Sequence, residues 1–126
     1  MSTYVEQVGG DHYAADLQHW DVMGRYDVDY LSGTATKYLM RWRKKAKPVE
    51  DLGKAKSYLQ KRLAMFPGQP IPRLVPLGEL QIMFDANMTP GEDAAIIRVI
   101  LASGAASDLQ RAVELIDGLL KDLDPA

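Results

Sequence analysis

The chain lacks the residues and patterns that mark several classes of protein. It contains no cysteine, which excludes disulfide bonds, thiol catalysis and metal sites built on thiolates. The sequence opens without the basic and then apolar segments of a secretory signal, and no apolar run reaches the length of a membrane-spanning helix. We therefore expect a cytoplasmic protein that makes no use of a membrane.

Familiar catalytic motifs are also missing, among them the Gly-x-x-x-x-Gly-Lys-Ser/Thr phosphate loop and the His-Glu-x-x-His metal motif. Glu114 and Asp117 have a spacing similar to that of the magnesium ligands in all-α nucleotide pyrophosphohydrolases. The companion helix of that family carries E-E-x-x-E, whereas this chain offers only Glu92 and Asp93. Glu114 and Asp117 are explained as exposed acids of an amphipathic helix, so we do not assign them as metal ligands.

Positive charge is concentrated in one segment of a chain whose net charge is −2. Residues 33–63 contain ten lysines and arginines and only two acidic residues. Residues 1–66 have 11 basic and 8 acidic side chains, a balance of +3, whereas residues 67–126 have 4 and 9, a balance of −5. This asymmetry indicates that the first half meets an anion, and it also permits the halves to attract each other, within one chain or across a dimer.

The spacing of apolar residues predicts an all-α fold. The segment FPGQPIPRLVP (66–76) contains four prolines, which exclude a helix interior or a central strand and predict an extended connector. Apolar residues on both sides of it recur at helical spacing. We predict two helical hairpins that form a four-helix core, with short helices around 16–25 and 77–87. The hairpins lie in residues 1–66 and 77–126, joined by the connector 67–76 in one compact domain.

Two helix starts carry capping signals. Asp29 is a plausible N-cap of the first long helix. Thr89 is the expected N-cap of the helix over 91–103, with Pro90 at its first position and Glu92 three residues after the cap.

The two halves also align with each other. A shift of 60 residues places Met23 on Met83 and Asp29 on Thr89, and a shift of 57 places Leu52 on Leu109. Any two helical hairpins share part of this pattern, but we favour an internal duplication. Under that hypothesis the second copy kept the core and lost the basic residues, because Lys37, Arg41 and Lys45 align with Ile97, Leu101 and Ala105.

Helical geometry groups the basic residues into two rows. At about 100° per residue, Lys37, Arg41, Lys44 and Lys45 share one face beside the apolar stripe of Tyr38 and Trp42. On the following helix the face contains Asp51, Tyr58 and Arg62, with Lys54 at its edge. Antiparallel packing would join the two rows into one groove. In that groove the guanidinium groups of arginine, the ammonium groups of lysine and the rings of tyrosine would face a phosphorylated ligand. The alternative is a solvated face whose lysine and arginine stems cover apolar surface.

The N-terminal segment VGGDHY is a second, weaker candidate. Paired glycines such as Gly9 and Gly10 let backbone amides approach a ligand closely. A histidine such as His12 could titrate near neutral pH or donate to a phosphate. A Gly-Gly turn without a ligand is the commoner explanation of this pattern.

The blocks VGGDHY, HWDVM, G-x-A-x-K-Y-L-x-R-W-R-K-K and E-D-L-x-K-A-x-x-Y-L resemble a small family of tailed-phage proteins. That family was long catalogued as a domain of unknown function and is commonly labelled nucleotide kinase. The resemblance covers roughly residues 8–63. It implies a phage origin, nucleotide binding and phosphoryl transfer from a nucleoside triphosphate to a deoxynucleoside monophosphate. By motif match it implies functional roles for Gly10, Asp11, His12, Tyr13, Lys37, Tyr38, Arg41, Asp51, Lys54 and Tyr58.

The chain departs from the family pattern in three places. AKP (46–48) stands where members usually have a Gly-Gly turn, Thr34 stands where Asn is common, and residues 67–126 lie outside the resemblance.

The first hypothesis is a nucleotide kinase or a kinase-like binder that works with ATP and Mg²⁺ in an infected cell. Lys37, Arg41 and Lys45 would neutralise phosphates, and Tyr58 or Tyr13 would stack on a base. The catalytic candidates are Asp11, His12 and Asp51, of which Asp51 or Asp11 would orient the acceptor or hold Mg²⁺. Alternatives are a non-catalytic protein that sequesters a nucleotide, a nucleic-acid binder, and a self-associating structural module. We expect a homo-oligomer in each case.

Overall fold

The computed structural model describes residues 14–123, which form six helices and no strand. The all-α prediction is therefore confirmed for this part of the chain. The helices are α1 (Ala14–Arg25), α2 (Tyr30–Arg41), α3 (Pro48–Met65), α4 (Leu77–Asn87), α5 (Gly91–Arg98, extended by a π-helical turn over Val99–Ser103) and α6 (Ala106–Leu123). No helix among these residues is long and apolar enough to cross a membrane.

The core lies between the α2–α3 hairpin and the hairpin formed by α5 and α6. α3 packs against α6, and α2 contacts α5. α1 and α4 contact each other at the flank of this core, which is the four-helix arrangement with two short helices that the periodicity predicts. The side chains buried in it include Val22, Ala35, Leu39, Leu52, Ala55, Leu59, Leu80, Met83, Ile97, Ile100, Leu101, Leu109, Ala112 and Ile116.

The two halves repeat the same order of elements, a short helix followed by a hairpin. Each helix of the first half contacts its counterpart in the second, α1 with α4, α2 with α5 and α3 with α6. An internal duplication would produce this arrangement, and the duplication itself stays a prediction.

The α2–α3 hairpin begins at the cap that the sequence marks. The Asp29 side chain accepts a hydrogen bond from the Ser32 N–H at 3.0 Å, which satisfies one of the free donors of the first turn. Asp29 at the start of α2 lies near Arg62 at the end of α3, and Arg41 at the end of α2 lies near Asp51 at the start of α3. The two helices are therefore antiparallel.

The predicted cap of α5 is wrong. Pro90, not Thr89, is the N-cap residue, and no side chain caps the helix. The physical reason is the turn before it, because Met88 has a left-handed backbone (φ 52°) and the Thr89 N–H donates to Phe84 O at 2.9 Å. Thr89 thus closes α4 and cannot open α5.

The proline-rich connector runs along the end of α5. The Ile71 N–H donates to Gly104 O at 2.8 Å, and the Val75 N–H donates to Leu101 O at 2.9 Å. Gly104 ends the helix with a left-handed backbone (φ 63°), and its N–H donates to Val99 O. No pattern in the sequence predicts the π-helical turn that this hydrogen bond closes.

Ion pairs join the two halves within one chain. Arg25 contacts Glu79 at 3.0 Å, Lys56 contacts Asp117 at 2.7 Å, and Arg43 contacts Asp93 at 2.7 Å. In each pair the cation comes from the first half and the acid from the second. The charge asymmetry therefore serves attraction within the chain, and Asp117 and Asp93 are engaged by cations.

Candidate functional site

The α2–α3 hairpin brings three tyrosines together on one face. Tyr38 of α2 stacks on Tyr58 of α3, with ring centroids 6.1 Å apart and an interplanar angle of 16°. Tyr30, two turns before Tyr38, meets the edge of the Tyr58 ring at 6.1 Å and 76°. Both arrangements suit the charge distribution of aromatic rings.

Three cations surround the Tyr38 ring. Lys37 Nζ, Arg41 Cζ and Lys54 Nζ lie 5.7, 5.2 and 5.5 Å from its centroid. The face of an aromatic ring attracts cations at such distances. The hairpin thus gathers positive charge from both helices around one aromatic ring, as the predicted groove requires.

Two grooves adjoin this ring. The first, which we call the tyrosine groove, has a volume of about 340 Å³ and is lined by His19, Trp20, Met23, Val28, Asp29, Tyr30, Gly33, Thr34, Lys37, Tyr38 and Tyr58. The second, the basic groove, has a volume of about 360 Å³ and is lined by Arg41, Lys45, Ala46, Lys47, Glu50, Asp51 and Lys54. The first groove therefore contains four aromatic side chains of Trp and Tyr, whereas the second is mainly charged.

The charges of the basic groove are only partly compensated. Glu50 lies 3.3 Å from Lys54 and 3.6 Å from Lys47. Among the side chains that the structure describes (residues 18–123), neither Lys45 nor Lys37 in the adjoining groove has an ion-pair partner. Four cations facing two acids leave a net positive surface.

Proton affinities in this region follow from the contacts. The interaction with Lys54, together with the charge of Lys47, lowers the pKa of Glu50, and the same contact raises the pKa of Lys54. The hydrogen bond with Tyr30 raises the pKa of Tyr58. Glu50 and Lys54 are therefore charged, and Tyr58 is neutral, at neutral pH.

Asp51 is the buried acid of the basic groove. Only 4% of the residue is exposed, and its Oδ2 lies 3.6 Å from Arg41 Nε, which is too long for a hydrogen bond. Neither of these two atoms has a hydrogen-bond partner among the described residues. Asp51 also stands in the first turn of α3, where a negative charge favours the helix.

The structure brings most of the sequence-predicted residues together. Lys37, Tyr38, Arg41, Lys45, Asp51, Lys54 and Tyr58 line the two grooves. Gly10, Asp11, His12 and Tyr13 lie outside the described residues.

The prediction for Lys44 is wrong. α2 ends at Arg41, so the chain turns before Lys44, whose Nζ donates to Asn87 O of α4 at 3.1 Å. The helical face predicted from 100° steps does not continue through this turn.

Sequence reasoning missed several lining residues, among them Trp20, Tyr30, Lys47 and Glu50. Tyr30 could have been found, because it precedes Tyr38 by eight residues on the same helix. Trp20 comes from α1, and only tertiary packing places it beside this hairpin. Within residues 14–123, no group of three or more acids and histidines is arranged to hold a metal ion.

Comparison with known proteins gives one match. Residues 8–60 match the family model described as Protein of unknown function (DUF3310). No curated protein and no solved structure matches the chain. The matched segment contains every ligand and catalytic candidate from Gly10 to Tyr58, and the resemblance to a catalogued domain of unknown function is confirmed there. Residues 8–60, less than half of the chain's length, are thus similar to the DUF3310 family.

Proposed function

We propose that this protein binds a nucleotide along the α2–α3 face, with the phosphates in the basic groove and the nucleoside in the tyrosine groove. The observation that carries the proposal is the cluster of Lys37, Arg41 and Lys54 around the Tyr38 ring, at the junction of the two grooves. A nucleotide has the same division, with an aromatic base at one end and an anion at the other.

The basic groove suits phosphate for reasons of charge and geometry. Arg41 offers a planar fork of donors, and lysines supply point charges that adapt to several phosphate positions. Only 29% of the Arg41 side chain is exposed, so its interactions are screened less than those of a surface cation. Lys37 and Lys45, which have no ion-pair partner among the described residues, are the cations best placed to receive added negative charge.

The tyrosine groove suits the nucleoside. Its volume of about 340 Å³ falls within the roughly 300–1,000 Å³ typical of small-molecule sites. Tyr30 and Trp20 are 73% and 59% exposed, so their rings are available to stack on a base, an interaction worth about 1–3 kcal/mol per base.

A nucleotide kinase activity is the finer proposal, and Asp51 favours it. The reaction transfers the γ-phosphoryl group of ATP to a phosphate oxygen of a deoxynucleoside monophosphate, which releases ADP. Mg²⁺ is commonly held by one or two carboxylates together with the substrate phosphates. Asp51 fits this role because its Oδ2 has no hydrogen-bond partner among the described residues, whereas Glu50 is engaged by Lys47 and Lys54.

The test is incubation of the pure protein with Mg²⁺, ATP and the four deoxynucleoside monophosphates, followed by removal of the protein and chromatography of the nucleotides. New diphosphates that are absent with Asp51→Asn establish the kinase. A nucleotide that is depleted, and recovered intact after the protein is denatured, establishes sequestration without catalysis. Nucleotides that stay unchanged and unbound contradict the proposal.

Three further expectations belong to this proposal. A nucleotide pocket predicts that a single-stranded oligonucleotide binds no more tightly than a mononucleotide, whereas a nucleic-acid binder predicts tight binding that weakens steeply with salt. The expected homo-oligomer predicts a molecular mass, measured by light scattering, of at least twice that of the chain.

The expected setting, the cytoplasm of a phage-infected cell, follows from the family resemblance.

A further inference from the structure

Arg62 of α3 is nearly buried, yet its guanidinium is incompletely bonded. The residue is 4% exposed. Its Nη2 donates to Pro70 O at 3.1 Å, and its Cζ lies 4.7 Å from the centre of the Phe66 ring. Nε and Nη1 have no hydrogen-bond partner among the described residues, because the nearest acid oxygen, Asp29 Oδ2, is 3.6 Å from Nε.

Asp29 is left with a matching spare acceptor. Its Oδ2 accepts the capping hydrogen bond from the Ser32 N–H, while Oδ1 is buried and has no partner among residues 14–123. Buried polar groups are nearly always hydrogen-bonded, and each exception needs an explanation. Here the unpaired donors of Arg62 lie beside the unpaired acceptor of Asp29. Such an arrangement can bind a ligand edge that carries both an acceptor and a donor.

A groove of about 390 Å³ lies at this pair, and we call it the Arg62 groove. It is lined by Asp29, Arg62, Phe66, Gln69, Pro70 and Pro72. Asp29 also lines the tyrosine groove, so the two grooves meet at this residue. Tyr58 and Arg62 are four residues apart on α3, which is about 6 Å along the helix. The Asp29–Arg62 pair therefore lies at the end of the tyrosine groove that is farther from the basic groove.

We propose that Asp29 and Arg62 read the polar edge of the nucleobase, an inference that rests on the proposed nucleotide-binding function. The base stacks in the tyrosine groove, and its edge meets the pair after a small rotation of the guanidinium towards the groove. Phe66 and the prolines form an apolar wall beside it.

Charge decides which chemical group the pair takes. The charges of the Asp29 carboxylate and the Arg62 guanidinium nearly cancel. An anionic ligand group would therefore add an uncompensated negative charge beside Asp29, and burial makes such a charge more costly. A neutral ring with an N–H beside a carbonyl or ring nitrogen instead satisfies Asp29 Oδ1 and Arg62 Nη1 together. A ring that lacks one of these groups leaves a buried partner unpaired and binds less tightly.

The test compares the affinities of the four deoxynucleoside monophosphates and of 2-deoxyribose 5-phosphate, which has no base, by isothermal titration calorimetry. The proteins are the wild type, Asp29→Asn and Arg62→Lys. Asn caps a helix as well as Asp does, and Lys keeps the charge at position 62 but loses the planar fork. Thermal unfolding shows whether each variant is folded. If Arg62→Lys does not fold, the comparison of Asp29→Asn with the wild type is the test.

We expect the wild type to bind at least one deoxynucleoside monophosphate more tightly than the base-free sugar phosphate, by about tenfold or more. Asp29→Asn and Arg62→Lys should reduce that preference by about five- to tenfold and change the affinity for 2-deoxyribose 5-phosphate less than about twofold. Variants that keep the wild-type preference for nucleotides over the sugar phosphate overturn this inference alone. If no probe binds the wild type, the proposed function and this inference both fail.

Discussion

At the scale of single residues, Arg43 shows how the first half is attached to the second. Its guanidinium donates to Asp93 at 2.7 and 3.1 Å and to Glu92 at 3.1 Å, and it lies 4.1 Å from the centre of the Trp42 ring. The hydrogen bond to Asp93 raises the pKa of Arg43. The Asp93 side chain is 3% exposed. Water therefore cannot take the place of the Arg43 guanidinium unless the surrounding structure rearranges.

Arg43→Ala should therefore destabilise the fold by about 1–2 kcal/mol, because it leaves a buried carboxylate without its cation. The expected loss is smaller than for a fully buried pair, since 38% of the Arg43 side chain is exposed. The free energy of unfolding in urea measures it. The control is Arg111→Ala, which removes an exposed ion pair with Glu114 at 3.8 Å and should cost no more than about 0.5 kcal/mol. Equal losses in both variants would contradict this role of Arg43.

Glu50 gives a pH-dependent prediction at the basic groove. Because Lys54 and Lys47 lower its pKa in the folded protein, its ionised form favours the fold above the pKa of the unfolded chain. That contribution is lost as the pH falls through the lowered, folded-state pKa. Both partners are exposed, so the effect on stability is small and the pKa itself is the quantity to measure.

Lys54→Met should raise the pKa of Glu50 towards its ordinary value, and Lys47→Met should raise it less, because the contact with Lys54 is the larger cause. The side-chain carboxyl carbon of Glu50, followed by NMR between pH 2 and 7, reports the change (the range that spans carboxyl titration). A Glu50 pKa that is the same in Lys54→Met and in the wild type would show that this contact does not form in solution.

At the scale of elements, periodicity predicts the helices because burying one apolar stripe fixes both their existence and their inward face. The short helices and the antiparallel α2–α3 hairpin follow from the same pattern and from the four prolines of 66–76. Helix ends were less predictable. Thr89 belongs to the turn that closes α4, and Lys44 lies beyond the end of α2. Both depend on backbone turns that side-chain periodicity does not encode.

Gly104 is a backbone position where the connector packs closely against the end of α5. A Cβ there would lie 2.7 Å from Leu74 Cδ2 and 3.0 Å from Ile71 Cβ, and the backbone is left-handed as well. Gly68 has a similar φ of 73° but open space around it. The two glycines therefore separate the cost of the backbone conformation from the cost of crowding.

Gly68→Ala should destabilise the fold by about 1 kcal/mol, the cost of a left-handed alanine. Gly104→Ala should cost about 1–3 kcal/mol more, because overpacking adds to that strain. Urea unfolding of both variants beside the wild type measures the difference. Equal destabilisation would mean that Leu74 and Ile71 move aside without cost.

At the scale of the whole molecule, the chain combines two similar halves of opposite charge. Cations of the first half meet acids of the second in the ion pairs of Arg25, Arg43 and Lys56. Lys37, Arg41, Lys45 and Lys54 remain on the α2–α3 face, where no described acid of the second half forms an ion pair with them. The positive charge is thus divided between holding the halves together and forming the candidate site.

Part of that site could be predicted from sequence and part could not. The groove residues of α2 and α3 follow from helical spacing within one hairpin. Trp20 and the Asp29–Arg62 pair depend on packing between segments that are distant in sequence. The charged residues that face α4, α5 and α6, such as Arg43 and Lys44, look the same in the sequence as those of the groove, and only the folded chain separates them.

The measurement that tests the central claim most directly is nucleotide binding by isothermal titration calorimetry to the wild type, Arg41→Ala and Lys61→Ala. The ligand is whichever of ATP and the four deoxynucleoside monophosphates binds the wild type most tightly. Lys61 is an exposed cation of α3 that lines neither groove. Arg41→Ala should lose about 1–3 kcal/mol of binding free energy, through the loss of charge-assisted hydrogen bonds to phosphate, and Lys61→Ala should bind within about twofold of the wild type. Equal affinity of Arg41→Ala and wild type, equal losses in both variants, or no binding of any nucleotide to the wild type would contradict the account.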